Sequence, residues 1–127
     1  MPIQCRLVDR EKLREQEKQP KPGDMWFVPK MVEGDHAQFY FDHYLSNQYK
    51  KDWLGKRLPI MVCLPNGQHT CLDCFYSDAK DGNGWTITGE PPSITVMPSI
   101  NCMGTNGYHG WLKDGILSDD LEGRSYA

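Results

Sequence analysis

An Asp-Gly pair at positions 114 and 115 constrains this chain most. It stands between Y-H-G-W-L-K (108–113) and Ile116-Leu117. Asp-Gly suits the tight turn of a hairpin, because both positions then need positive φ. A second signal of the same kind, Pro65-Asn66-Gly67, separates the apolar run 59–64 from the run His69 to Tyr76. Trp85 to Thr88 and Ser93 to Met97 read as further strands, split by G-E-P-P. Met25 to Val28 reads as an earlier strand, ended by Pro29. Eight of the 12 glycines lie from Gly82 onward, as a turn-dense β region requires.

Helical signals are few. Asp9 is a candidate N-cap for a helix within 9–18, and Leu13 is its only apolar residue. Residues 1–22 therefore read as a solvated helix or arm. Ser46 offers a second N-cap, for a helix through Trp53 and Leu54 that Gly55 stops. The polar residues 118–127 read as a surface tail. The expected fold is α+β and predominantly antiparallel β. It is one small domain, residues 1–127, of short strands and hairpins with one or two short helices.

Charge and hydropathy narrow the function classes. A formal net charge of −3 carries no basic stripe of the kind nucleic acid requires. No apolar run approaches the roughly 20 residues that span a bilayer. The N-terminus M-P-I-Q-C-R lacks a signal-peptide core, which places the expected location in the cytosol. In that compartment the five cysteines, Cys5, Cys63, Cys71, Cys74 and Cys102, are thiols or metal ligands before they are disulfides.

Two constellations could carry chemistry. In the first, Ser99 follows Pro98 at a strand end and His109 lies on the returning strand. A loop centred on Gly104 sets the two directly opposite, with Cβ atoms about 5 Å apart. A tight turn at Asn106-Gly107 instead sets Ser99 opposite Asp114. Both registers stay open. In the first register His109 could serve as base to a Ser99 nucleophile, with a carboxylate to orient the ring. Asp114, Asp119, Asp120 and Asp73 are the candidates, and spacing singles out none. Backbone N–H groups within 101–107 could stabilise an oxyanion. By residue pattern alone the inert alternative leads: Ser99 satisfies backbone at a strand end and His109 caps the rim.

The second constellation is Cys71-Leu72-Asp73-Cys74, with Cys63, Cys102, His69 or His109 to complete a zinc site. No second C-x-x-C exists. In a strand, Cys71 and Cys74 would point to opposite faces. Buried thiols are the expected outcome, with no cofactor, and a zinc-stabilised binding domain is the lesser alternative.

The ordered pair P-S-I and H-G-W, within W-T-I-T-G-E-P-P-S-I-T-V-M-P-S-I and Y-H-G-W-L-K-D-G-I-L, resembles the BubE-like proteins. This is a domain family of bacterial ubiquitin-like conjugation operons, with short versions in phage genomes. The resemblance covers residues 85–117 well and the N-terminal half weakly. It implies a small β-rich domain, and for the operon type a serine peptidase acting on a ubiquitin-like protein. Ser99 and His109 match the family's serine and histidine, and Asp114 is the acid nearest in sequence. Tyr108 stands where the operon type has cysteine, so the chain looks more like the short phage versions. The resemblance thus implies a Ser/His hydrolase, a peptidase or isopeptidase with a protein substrate. The alternative is a catalytically inactive phage protein that binds a host or virion protein through an exposed aromatic patch at Tyr108 and Trp111.

Overall fold

The computed structural model describes residues 2–27, 60–72, 85–102 and 106–126. Nine strands and one short helix occur among them: β1 (Ile3–Gln4), β2 (Arg6–Leu7), α1 (Arg10–Glu15), β3 (Asp24–Phe27), β4 (Ile60–Cys63), β5 (His69–Cys71), β6 (Thr86–Thr88), β7 (Thr95–Cys102), β8 (Tyr108–Lys113) and β9 (Ile116–Leu117). They form a five-stranded sheet, β1-β9-β8-β7-β6, and a four-stranded sheet, β2-β3-β4-β5. Every pairing is antiparallel except β2 with β3. The protein is a small, β-rich α+β fold. No helix among the described residues is long and apolar enough to cross a membrane.

The hairpin signals fold as their chemistry demands. At the β8–β9 turn Asp114 has φ +50° and Gly115 φ +76°. A Cβ on Gly115 would come within 2.6 Å of the Pro92 carbonyl oxygen, so glycine is needed for space as well as for φ. Asn66 and Gly67 join β4 to β5, and the Asn66 side chain accepts from the Gln68 N–H at 3.0 Å.

Alternation within the strands builds a core shared by both sheets. Met25, Ile60 and Val62 from one sheet join Val96, Ile100, Tyr108, Leu112 and Leu117 from the other. Two polar contacts also link the sheets near the β7–β8 loop. Asn66 Nδ2 donates to the Asn106 carbonyl at 2.7 Å, and Thr70 Oγ1 lies 3.4 Å from Cys102 Sγ.

The N-terminal segment departs from the solvated arm expected for residues 1–22. Its helix is as expected, capped by Asp9 and burying no residue. Ahead of it, however, β1 pairs with β9 and β2 pairs with β3, so residues 3–7 pass from one sheet to the other. Buried Cys5 marks the crossing, and its N–H donates to the Gly115 carbonyl at 2.8 Å. Arg6 seals it by ion pairing with buried Asp24 at 2.7 Å. The helix expected from Ser46 to Leu54 lies outside the described residues.

Candidate functional site

Strand β7 positions the serine, and it does so by breaking its own ladder. Val96 pairs with Leu112, and Ile100 with Gly110. Three residues of β7, Met97 to Ser99, therefore stand against one of β8, Trp111. Pro98, which has no N–H to donate, sits in the middle of this bulge. Bulges re-aim side chains, and here the bulge turns Ser99 towards β8. The indole Nε1 of buried Trp85 donates to the Ser99 carbonyl at 3.3 Å and holds the kink.

Strand β8 positions the histidine. His109 pairs with Asn101, two residues beyond Ser99. The two side chains are diagonal neighbours, and Ser99 Oγ lies 3.0 Å from His109 Nε2. That is hydrogen-bond length for a nucleophile and its base. With the ring proton on Nδ1, Nε2 accepts from the serine hydroxyl. The register matches the Gly104-centred one beyond the bulge and, on the loop side of it, neither of the two weighed from the sequence. The Cys102–Tyr108 pair has its midpoint at position 105, and the Val96–Leu112 pair beyond the bulge has its midpoint at 104.

Gly110 and Tyr108 lie on the buried face of β8, opposite His109. A Cβ on Gly110 would fall 2.0 Å from Tyr108 Oη and 2.7 Å from Ser118 Oγ. The glycine leaves room for the Tyr108 ring, whose hydroxyl donates to the Ser118 carbonyl at 2.8 Å. Burial pushes the Tyr108 phenol up to about 12. Tyr108 is fully buried, so the exposed aromatic patch expected at Tyr108 and Trp111 is reduced to Trp111.

The residues after β9 complete the clamp. Ser118 Oγ accepts from the Trp111 N–H at 2.9 Å, and Asp120 Oδ1 accepts from the His109 N–H at 2.8 Å. The Leu121 N–H donates back to the His109 carbonyl at 2.6 Å. Side-chain acceptors thus alternate with backbone donors along the part of β8 that β9 does not pair. Arg124 holds Asp120 through Nε and Nη2, each at 3.0 Å. Tyr126 donates to the Gly107 carbonyl. The tail read as a surface segment therefore contains a buried carboxylate that fixes the backbone of His109. A sequence signal for it exists: Ser118 and Asp120 continue the two-residue period of the strand before them.

The Arg124 guanidinium hydrogen bonds hold the Asp120 carboxyl well below the usual carboxylate range. A depressed folded-state pKa contributes stability that is complete above the unfolded value and lost as pH falls through the folded one. The expected result is that this contribution stays constant from neutral pH down to about pH 5, and weakens below the ordinary aspartate value of about 3.9. Urea unfolding of wild type and Asp120→Asn across pH 2–7 checks it. The variant should be the less stable at pH 7, and the gap should close in acid. Equal stability at pH 7 would refute the clamp.

Asp114 is not brought to the histidine. It lies at the far end of β8, where its N–H donates to Thr95 Oγ1 at 2.9 Å and its Oδ1 accepts from the same hydroxyl at 3.4 Å. Asp120 reaches the backbone of His109, and Asp73 lies outside the described residues. Among the described residues no carboxylate bonds the His109 ring. The side chain opposite His109 is the half-buried Asn101. Of residues 101–107, expected to offer oxyanion donors, 103–105 lie outside the described residues.

The cysteines scatter. Cys63 and Cys71 are buried on β4 and β5, and half-buried Cys102 ends β7. Burial pushes the Cys63 thiol up to about 11 and the Cys5 thiol up to about 12. Cys74 lies outside the described residues, and among the described ones no three His, Cys, Asp or Glu side chains converge on a metal position.

From Trp111 towards the β8–β9 turn, the sheet face that carries His109 is apolar and open. Met97 is 50% exposed, Trp111 40% and Ile116 42%. With Pro2 they line a groove of about 590 Å³. Set against protein-family models, curated proteins and solved structures, the chain matches none of them.

Proposed function

We propose that the protein is a serine hydrolase in which Ser99 is the nucleophile and His109 its base, acting as a peptidase or isopeptidase of the BubE-like type. The observation that carries this reading is the 3.0 Å contact between Ser99 Oγ and His109 Nε2. Its setting adds support. The bulge presents the serine, the clamp fixes the histidine, and an open groove begins at Met97 and Trp111, each two residues along its strand from the pair.

The chemistry follows from the pair. His109 Nε2 takes the hydroxyl proton as Ser99 Oγ bonds to the acyl carbon. The bond from that carbon to the leaving group then breaks, and His109 passes the proton to the leaving group. Water, deprotonated by the same nitrogen, releases the acyl group and restores the hydroxyl. A carboxylate on the far ring nitrogen would stabilise the imidazolium formed midway, and among the described residues none holds that place.

A fluorophosphonate probe tests the reading. It should form a covalent phosphonyl adduct on Ser99 with loss of fluoride, and Ser99→Ala should abolish the adduct. An unlabelled wild type under conditions that label a known serine hydrolase would overturn it. That outcome would favour the second reading, a phage-type binding protein that uses the exposed Met97, Trp111 and Ile116 face to engage a protein partner.

A further inference from the structure

We propose that the groove beside Ser99 is the subsite for an uncharged, apolar side chain on the acyl side of the bond being cleaved. This deepens the hydrolase reading and rests on it. Two observations point to the occupant.

The first is direction. His109 pairs with Asn101 and is displaced from Ser99 towards the β7–β8 loop. The base returns its proton to the leaving group, so the leaving group lies towards that loop. The acyl portion then extends the other way along the strands, over Met97 and Trp111. Met97 precedes Ser99 by two residues, and Trp111 is the β8 residue facing the bulge. The groove that these two residues help to line thus lies on the acyl side of the serine.

The second is charge. The groove walls are Pro2, Met97, Trp111 and Ile116, and the charged residues lining it are adjacent and opposite, Lys113 and Asp114. Asp114 already accepts from Thr95. Such a lining offers no net charge to a charged side chain and considerable apolar surface to a neutral one. Filling it removes exposed Met97 and Trp111 from water.

Paired ester substrates test this. Hydrolysis of the p-nitrophenyl esters of N-acetylglycine and N-acetyl-leucine is measured with wild type, Ser99→Ala and Met97→Asp. The expected kcat/KM for the leucine ester exceeds that for the glycine ester by roughly 10-fold or more, the scale of discrimination an apolar pocket supplies. In Met97→Asp, which puts a charge on the groove wall, the ratio should fall towards 1. Ser99-dependent hydrolysis of both esters at equal efficiency would overturn the groove and leave the nucleophile standing. Absence of Ser99-dependent hydrolysis of either ester would overturn both.

Discussion

Ser99→Ala, His109→Ala and the double variant are expected to fall to one common residual rate, about 10³-fold or more below wild type. The reason is the shared proton. The 3.0 Å contact makes the two side chains one device, in which the hydroxyl is a poor nucleophile without the ring and the ring has nothing to activate without the hydroxyl. Residues that act as a unit lose nearly everything at the first deletion, and the second deletion costs little more. Ester hydrolysis by the four proteins, with thermal midpoints to show that each is folded, checks it. Additive losses would mean that the two residues act separately and would refute the pair. A His109→Ala enzyme close to wild type would refute the base.

Gly110→Ala is expected to destabilise the fold by about 3 kcal/mol, the upper end of what overpacking a close contact costs. The new methyl would lie 2.0 Å from Tyr108 Oη and 2.4 Å from Tyr108 Cζ. The ring has no space to retreat into, since Tyr108 is fully buried in the common core. Moving it also breaks its hydrogen bond to the Ser118 carbonyl, worth about 1 kcal/mol more. The thermal midpoint should drop by roughly 10 °C. Tyr108→Phe, which loses the hydrogen bond and keeps the ring, should cost only about 1 kcal/mol. Urea denaturation of both variants gives the comparison. A Gly110→Ala variant as stable as wild type would show that the tyrosine does not lie beneath the glycine.

Much of the fold was legible in the sequence because its turns are chemically explicit. Asp114-Gly115 and Asn66-Gly67 announce hairpins, and the strands around them follow by alternation. Two features were not legible. Residues 3–7 are too short to show a period, and their pairing depends on partners far along the chain. The register of β7 against β8 depends on a bulge that no turn signal announces, and Trp85 braces it through the Ser99 carbonyl. The site divides the same way. Ser99 and His109 could be named from the strand ends, but their distance needed the bulge. Asp114 is nearest in sequence, yet strand geometry carries it to the far end of β8, where it meets Thr95. Asp120, hidden in a polar segment, closes on the histidine backbone instead.

The covering of β8 by Ser118 and Asp120 has a consequence for acid sensitivity. A bond between backbone groups keeps its partners at any pH, whereas one made by a carboxylate weakens when that carboxylate is protonated. In strong acid the N–H of His109 loses its charged acceptor, while the Leu121 N–H keeps its bond to the His109 carbonyl. The site should therefore loosen at the histidine first, and tighten again when Asp120 recovers its charge and Arg124 draws it back.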